Sequence, residues 1–71
     1  MAKWLHDDEV ARQLGEWWFD ELSGRDGVED CETDEERVAI ANAALKRRGL
    51  NPVVTGVRVE SEVDYFWLVK M

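Results

Sequence analysis

Histidine, cysteine and proline occur once each in this chain of 71 residues, and cations are scarce: nine Lys and Arg stand against sixteen Asp and Glu, a formal net charge of -7. A single cysteine excludes an internal disulfide. Cys31 falls in an acidic run, where carboxylates raise a thiol pKa, so it is not expected to act as a nucleophile and a reducing, cytoplasmic setting is expected. No motif ties His6 or Cys31 to a catalytic partner, and a zinc site needs more His and Cys ligands than the chain holds. Gly24, Gly27, Gly49 and Gly56 stand singly, which leaves no phosphate-cradling loop. No apolar run is long enough to span a bilayer and no basic, apolar leader is present. The negative field repels phosphates, so direct binding to nucleic acid or to a membrane surface is not expected. No catalytic residue, metal or cofactor is expected either, and the chain reads as a non-enzyme.

What is present begins with the stretch Thr33 to Pro52, which carries a full set of helix signals. Thr33 followed by Glu36 forms a capping box, and Asp34, Glu35 and Glu36 suit the positive end of the dipole. Lys46, Arg47 and Arg48 suit the negative end. Gly49 in a left-handed conformation then ends the helix, Leu50 folds back on Leu45, and Pro52 prevents resumption. Val38, Ile40, Ala41, Ala44 and Leu45 form a broad apolar face, and the small residues around it fit a helix packed on two sides.

An earlier helix is predicted from about Asp8 to Leu22 or Ser23, with Asp7 as its N-cap and Gly24 beyond its end. Met1 to Leu5 reads as a hydrophobic lead-in to it, with an added edge strand or a disordered end as alternatives. Val10, Ala11, Leu14, Trp18 and Leu22 make its buried stripe. Trp17 and Phe19 flank Trp18 at roughly 100° each, so one face cannot take all three rings. Cover by the C-terminal segment is the expectation; a ring left open for binding is the alternative. Asp20 and Glu21 sit at the negative end of this helix, against the dipole, which marks them as candidates for function.

Asp26 to Glu36 holds seven carboxylates and no basic residue. A calcium loop does not fit: counting from Asp26 puts Cys31 at the sixth position, and counting from Asp30 puts Glu35 where glycine is required. Beyond Pro52, Val53 to Ser61 alternates as a strand, with Val53, Thr55, Val57 and Val59 on one side. After a turn at Ser61 to Asp64 comes Tyr65 to Met71, with Tyr65, Trp67 and Val69 on one face and Phe66 and Leu68 on the other. Both faces are apolar. The second strand therefore needs cover from the N-terminal segment or from an interface.

These elements predict a single α+β domain over residues 1–71, two helices followed by an antiparallel β-hairpin (ααββ), with the N-terminal segment as a possible third strand. The function that fits is non-enzymatic protein binding. Glu16, Asp20, Glu21, Asp26, Glu29, Asp30, Glu32, Asp34 and Glu35 supply charge, and Phe19 and Trp67 supply rings, for docking on a partner with a basic surface. In size, charge and lack of a catalytic motif the chain resembles the small acidic inhibitors of phages and mobile elements, including anti-CRISPR and anti-restriction proteins. That resemblance implies a protein that occupies a partner's nucleic-acid-binding surface in place of phosphates. The alternative is a structural or regulatory homodimer that associates through its hydrophobic β-edge.

Overall fold

The helix with the strongest signals is α3, Asp34–Arg47. Thr33 caps it, its hydroxyl accepting from the Glu36 amide at 3.2 Å. The return bond of the capping box reaches one residue further back, since the Glu36 carboxylate accepts from the Glu32 amide at 3.4 Å. Gly49, at φ 74°, reverses the chain. Its amide donates to the Lys46 carbonyl at 3.0 Å and the Leu50 amide donates to the Leu45 carbonyl at 2.9 Å, the paired bonds of a Schellman stop.

The computed structural model describes residues 1–23 and 27–70. Within them the predicted first helix is two helices, α1 at Asp7–Leu14 and α2 at Trp17–Leu22. Gly15 divides them. Its φ of 127° and ψ of 162° lie where only glycine is at ease, and its amide still closes the last turn of α1 on the Ala11 carbonyl at 2.7 Å. The kink keeps the stripe, for Val10, Ala11, Trp18 and Leu22 are all buried, while Leu14 is left at the rim. The predicted N-cap is displaced by one residue: His6 Nδ1 accepts from the Asp8 amide at 3.1 Å, and Asp7 turns inward. Gly24, assigned to the helix end, lies outside the described residues.

The N-terminal segment is not a lead-in but a strand, β1 at Ala2–His6. With β2 at Val54–Val59 and β3 at Tyr65–Lys70 it forms an antiparallel sheet in the order β1-β3-β2. The last strand is thus the central one. Pairing runs Leu5 with Trp67 and His6 with Phe66 on one side, and Val57 with Trp67 and Arg58 with Phe66 on the other. A shift of register between Val54 and Gly56 inserts Thr55 as a bulge. Val54 and Val57, three apart, therefore both face the core, which breaks the strict alternation predicted for this strand. The fold is α+β, helices with an antiparallel sheet, and a single 3₁₀ turn at Val28–Asp30 precedes α3.

The helices cover one face of the sheet. There Trp18 of α2 meets Trp67 of β3 edge to face at 5.6 Å, both rings fully buried, within one continuous cluster that includes Leu5, Val28, Ala41, Ala44 and Leu45. Asp7 Oδ1 accepts from both indoles, at 2.8 Å from Trp18 Nε1 and 2.7 Å from Trp67 Nε1. One carboxylate thereby satisfies the two largest buried polar side chains and joins α1, α2 and β3 at one point. Asn42 of α3 does similar work at the sheet edge: its amide bonds both the N–H and the carbonyl of Val54, at 3.0 and 2.9 Å. On the outer face Arg58 lies over Trp4 and Phe66, which gives the second apolar face of β3 partial cover.

Candidate functional site

The predicted binding residues other than Phe19 separate into four groups. Trp67 is removed from any binding surface, because the face it shares with Tyr65 is the core face of β3. Glu21 and Asp34 are structural: Arg47 Nε donates to Glu21 at 2.8 Å and Arg37 Nη1 to Asp34 at 2.7 Å. The charge that breaks the dipole rule at the end of α2 is thus answered from α3. Asp26 lies outside the described residues. Glu16, Asp20, Glu29, Asp30, Glu32 and Glu35 are exposed, and among the described residues none of them forms an ion pair.

Arg37 fixes how the acidic segment is held. Its guanidinium also donates to the carbonyls of Val28 at 3.3 Å and Cys31 at 3.0 Å, so the 3₁₀ turn is tied to the first turn of α3. The carboxylates of that turn consequently stand on a braced backbone rather than on a free loop. Cys31 beside them is pushed above its ordinary pKa, chiefly by burial and then by the Glu36 carboxylate.

Of the three consecutive aromatics, Trp18 enters the core and Trp17 is half-buried under the Arg48 guanidinium, 4.8 Å from its ring. Phe19 is the ring left open, at 38% exposure. It forms one wall of a cleft of about 280 Å³ between α2, the first turn of α1 and the β2–β3 turn. Leu22 and Val28 lie at its base, Asp8, Glu29 and Glu62 bring carboxylates, and Val63 and Tyr65 complete it. A second hollow adjoins it, sharing Glu29, Glu62 and Tyr65 and adding Asp30.

The cleft is pre-formed because its turn is well bonded. The Glu60 amide donates to the Asp64 carbonyl at 3.0 Å, Ser61 Oγ to Asp64 Oδ2 at 2.8 Å, and His6 Nε2 lies 2.9 Å from Asp64 Oδ1. Since His6 Nδ1 accepts at the helix cap, Nε2 carries the hydrogen of the neutral ring and donates to Asp64. That bond, with the one from Ser61, holds the Asp64 carboxyl below the usual value. Glu62 and Val63 are projected outward as a result, Val63 at 76% exposure.

Tyr65 is 6% exposed, its ring stacked on Trp67 at 6.2 Å. Burial and then the nearby Glu29 carboxylate push its phenol above the ordinary value. Of the sequence candidates the structure therefore brings together Phe19, Glu29 and Asp30. Asp8, Glu62, Val63 and Tyr65 were not among them. Nothing in the sequence marks Glu62 or Val63 beyond their place in a turn, whereas Tyr65 was legible as part of one apolar face of the second hairpin strand.

Among the described residues no group of three or more His, Cys, Asp or Glu is placed to hold a metal ion, and no helix is long and apolar enough to cross a membrane. No protein-family model, curated protein or solved structure matches the chain.

Proposed function

We propose that the chain is a non-catalytic protein-binding module that docks through its acidic side on a basic protein surface, and that it inhibits by filling a nucleic-acid-binding surface of that partner. The observation that carries this reading is the unequal use of charge. The arginines Arg12, Arg37, Arg47 and Arg58 each pair with an internal carboxylate, while Glu29, Asp30, Glu32 and Glu35 have no ion pair among the described residues. Among the described residues these four carboxylates are therefore left un-neutralised on a braced backbone, on the side of the open ring of Phe19. Such a surface steers a basic partner at long range and anchors it at short range.

The test is affinity capture from host lysate with the intact chain and with a Glu29→Lys, Asp30→Lys, Glu32→Lys variant whose fold is checked by circular dichroism. The expected catch is a nucleic-acid-binding protein, lost with the variant and displaced by duplex DNA. Equal capture by both forms, or capture that DNA does not disturb, overturns the reading. A second reading, self-association through the sheet, is favoured by Trp4, 42% exposed on the face that no helix covers. A mass that rises with concentration in sedimentation supports it; a monomer throughout removes it.

A further inference from the structure

The cleft beside Phe19 combines features that an acidic surface alone does not have. Its rim carries Asp8, Glu29 and Glu62, of which Glu29 and Glu62 form no ion pair among the described residues. Phe19 and Val63 stand open on it, an aromatic face and a branched aliphatic side chain. Tyr65 adds a polar group to the lining of the same cleft. More than nine-tenths buried, it makes no hydrogen bond through its hydroxyl among the described residues, yet no enclosed side-chain oxygen or nitrogen lacks a partner. Its hydroxyl is therefore not enclosed and opens toward a hollow that Tyr65 lines, and Glu29 and Glu62 line both of those hollows.

We infer that this cleft receives the side chain of an arginine from the partner's basic surface, its guanidinium stacked on Phe19, held by Glu29 and Glu62 and bonded to the Tyr65 hydroxyl, and its stem laid along Val63. The inference rests on the proposed docking function and names the contact that gives it specificity. A volume of about 280 Å³ suits one side chain and falls below the roughly 300–1,000 Å³ typical of sites for drug-sized ligands. Arginine is favoured over lysine because a planar, weakly hydrated guanidinium stacks on an aromatic face and presents several donors at once, whereas an ammonium keeps its water. The molecule packs its own arginines in this way, Arg48 on Trp17 and Arg58 on Trp4 and Phe66.

The experiment is a titration of the ¹⁵N-labelled chain, followed by amide shifts, with N-acetyl-arginine amide, its lysine counterpart and the uncharged citrulline counterpart, and separately with an oligolysine peptide. Saturable shifts at Phe19, Glu29, Glu62 and Val63 are expected with arginine, with binding about tenfold weaker for lysine and citrulline. Tyr65→Phe removes only the unpartnered hydroxyl, so the fold persists and arginine binding weakens by about fivefold, the worth of one net hydrogen bond. Phe19→Ala and Glu62→Gln, both at exposed positions, weaken it as well. Equal response to arginine and lysine, or shifts confined to Glu32 through Glu36, overturns the cleft while the acidic docking surface stands. If oligolysine too leaves the spectrum unchanged, both readings fall.

Discussion

At the scale of single residues, the molecule depends most on Asp7. Trp18 and Trp67 are fully buried and each has one N–H, and the same carboxylate oxygen takes both. Asp7→Ala leaves two buried indole donors without their acceptor, a loss on the order of 3 kcal/mol. Asp7→Asn retains an acceptor oxygen and loses only the charge assistance, roughly half as much. Urea denaturation followed by tryptophan fluorescence measures both, and a near-neutral Asp7→Ala would contradict the bridging role. Tyr65 gives a pH test that is clean because it is the only tyrosine. Its folded-state pKa is raised, so its contribution to stability is complete below the unfolded value near 10 and is lost as pH rises through the higher folded value. Phenolate absorbance should therefore emerge later in the native chain than in guanidinium chloride, and coincident curves would refute the burial. Neither role was written in the sequence. Asp7 looked like a cap because an acidic residue at a helix start ordinarily is one, and only the fold shows that His6 has taken that place.

At the scale of elements, α3 was legible from end to end because its signals are local: Thr33, Glu36, Gly49 and Leu50 act within one turn of the positions they control. The first helix was legible in its buried stripe and not in its continuity. A glycine inside a periodic pattern costs a helix little, so Gly15 carried no weight against the eight or so residues on either side. Its conformation is coupled to the indole two residues on, whose placement the apolar pattern does not reveal, since the Trp17 ring lies where a side chain at position 15 would begin: a Cβ added there would meet Trp17 Cδ1 at 2.8 Å. Gly15→Ala should cost about 2 kcal/mol, the sum of a backbone state that L-residues rarely hold and a displaced indole. Thermal unfolding gives the value, and a stabilised variant would mean that the two helices prefer to be one. The bulge at Thr55 is a different case, for Gly56 beside it is the local mark of a bulge, and pairing with β3 fixes its position.

At the scale of the whole molecule, the α+β class followed from patterns of hydrophobicity, and the helices-then-hairpin order follows the chain. The partner of β1 did not, because five residues carry too little periodicity to separate a strand from a helix lead-in. The candidate site was legible as chemistry and not as a place. Carboxylates and candidate rings were visible along the chain, but which of them meet depends on a cleft whose walls come from α1, α2 and the β2–β3 turn. Trp67 was misplaced for a related reason, since both faces of β3 are apolar and the alternation alone cannot tell which one the helices cover.

The order β1-β3-β2 also places a condition on how the molecule is born. As the ribosome delivers the chain, β1 emerges first and β2 later, but the strand that both must pair with is the last of the three to appear. His6 waits for Asp64, 58 positions behind it, and the Asp7 carboxylate for an indole 60 positions behind. Until then Trp4, Leu5 and Trp18 have no sheet to rest on, while α3, the longest helix among the described residues, carries a side-chain cap at one end and a Schellman stop at the other that favour its early formation. Closure of the sheet is therefore a late event, and a chain interrupted before Tyr65 lacks the central strand with which both β1 and β2 pair.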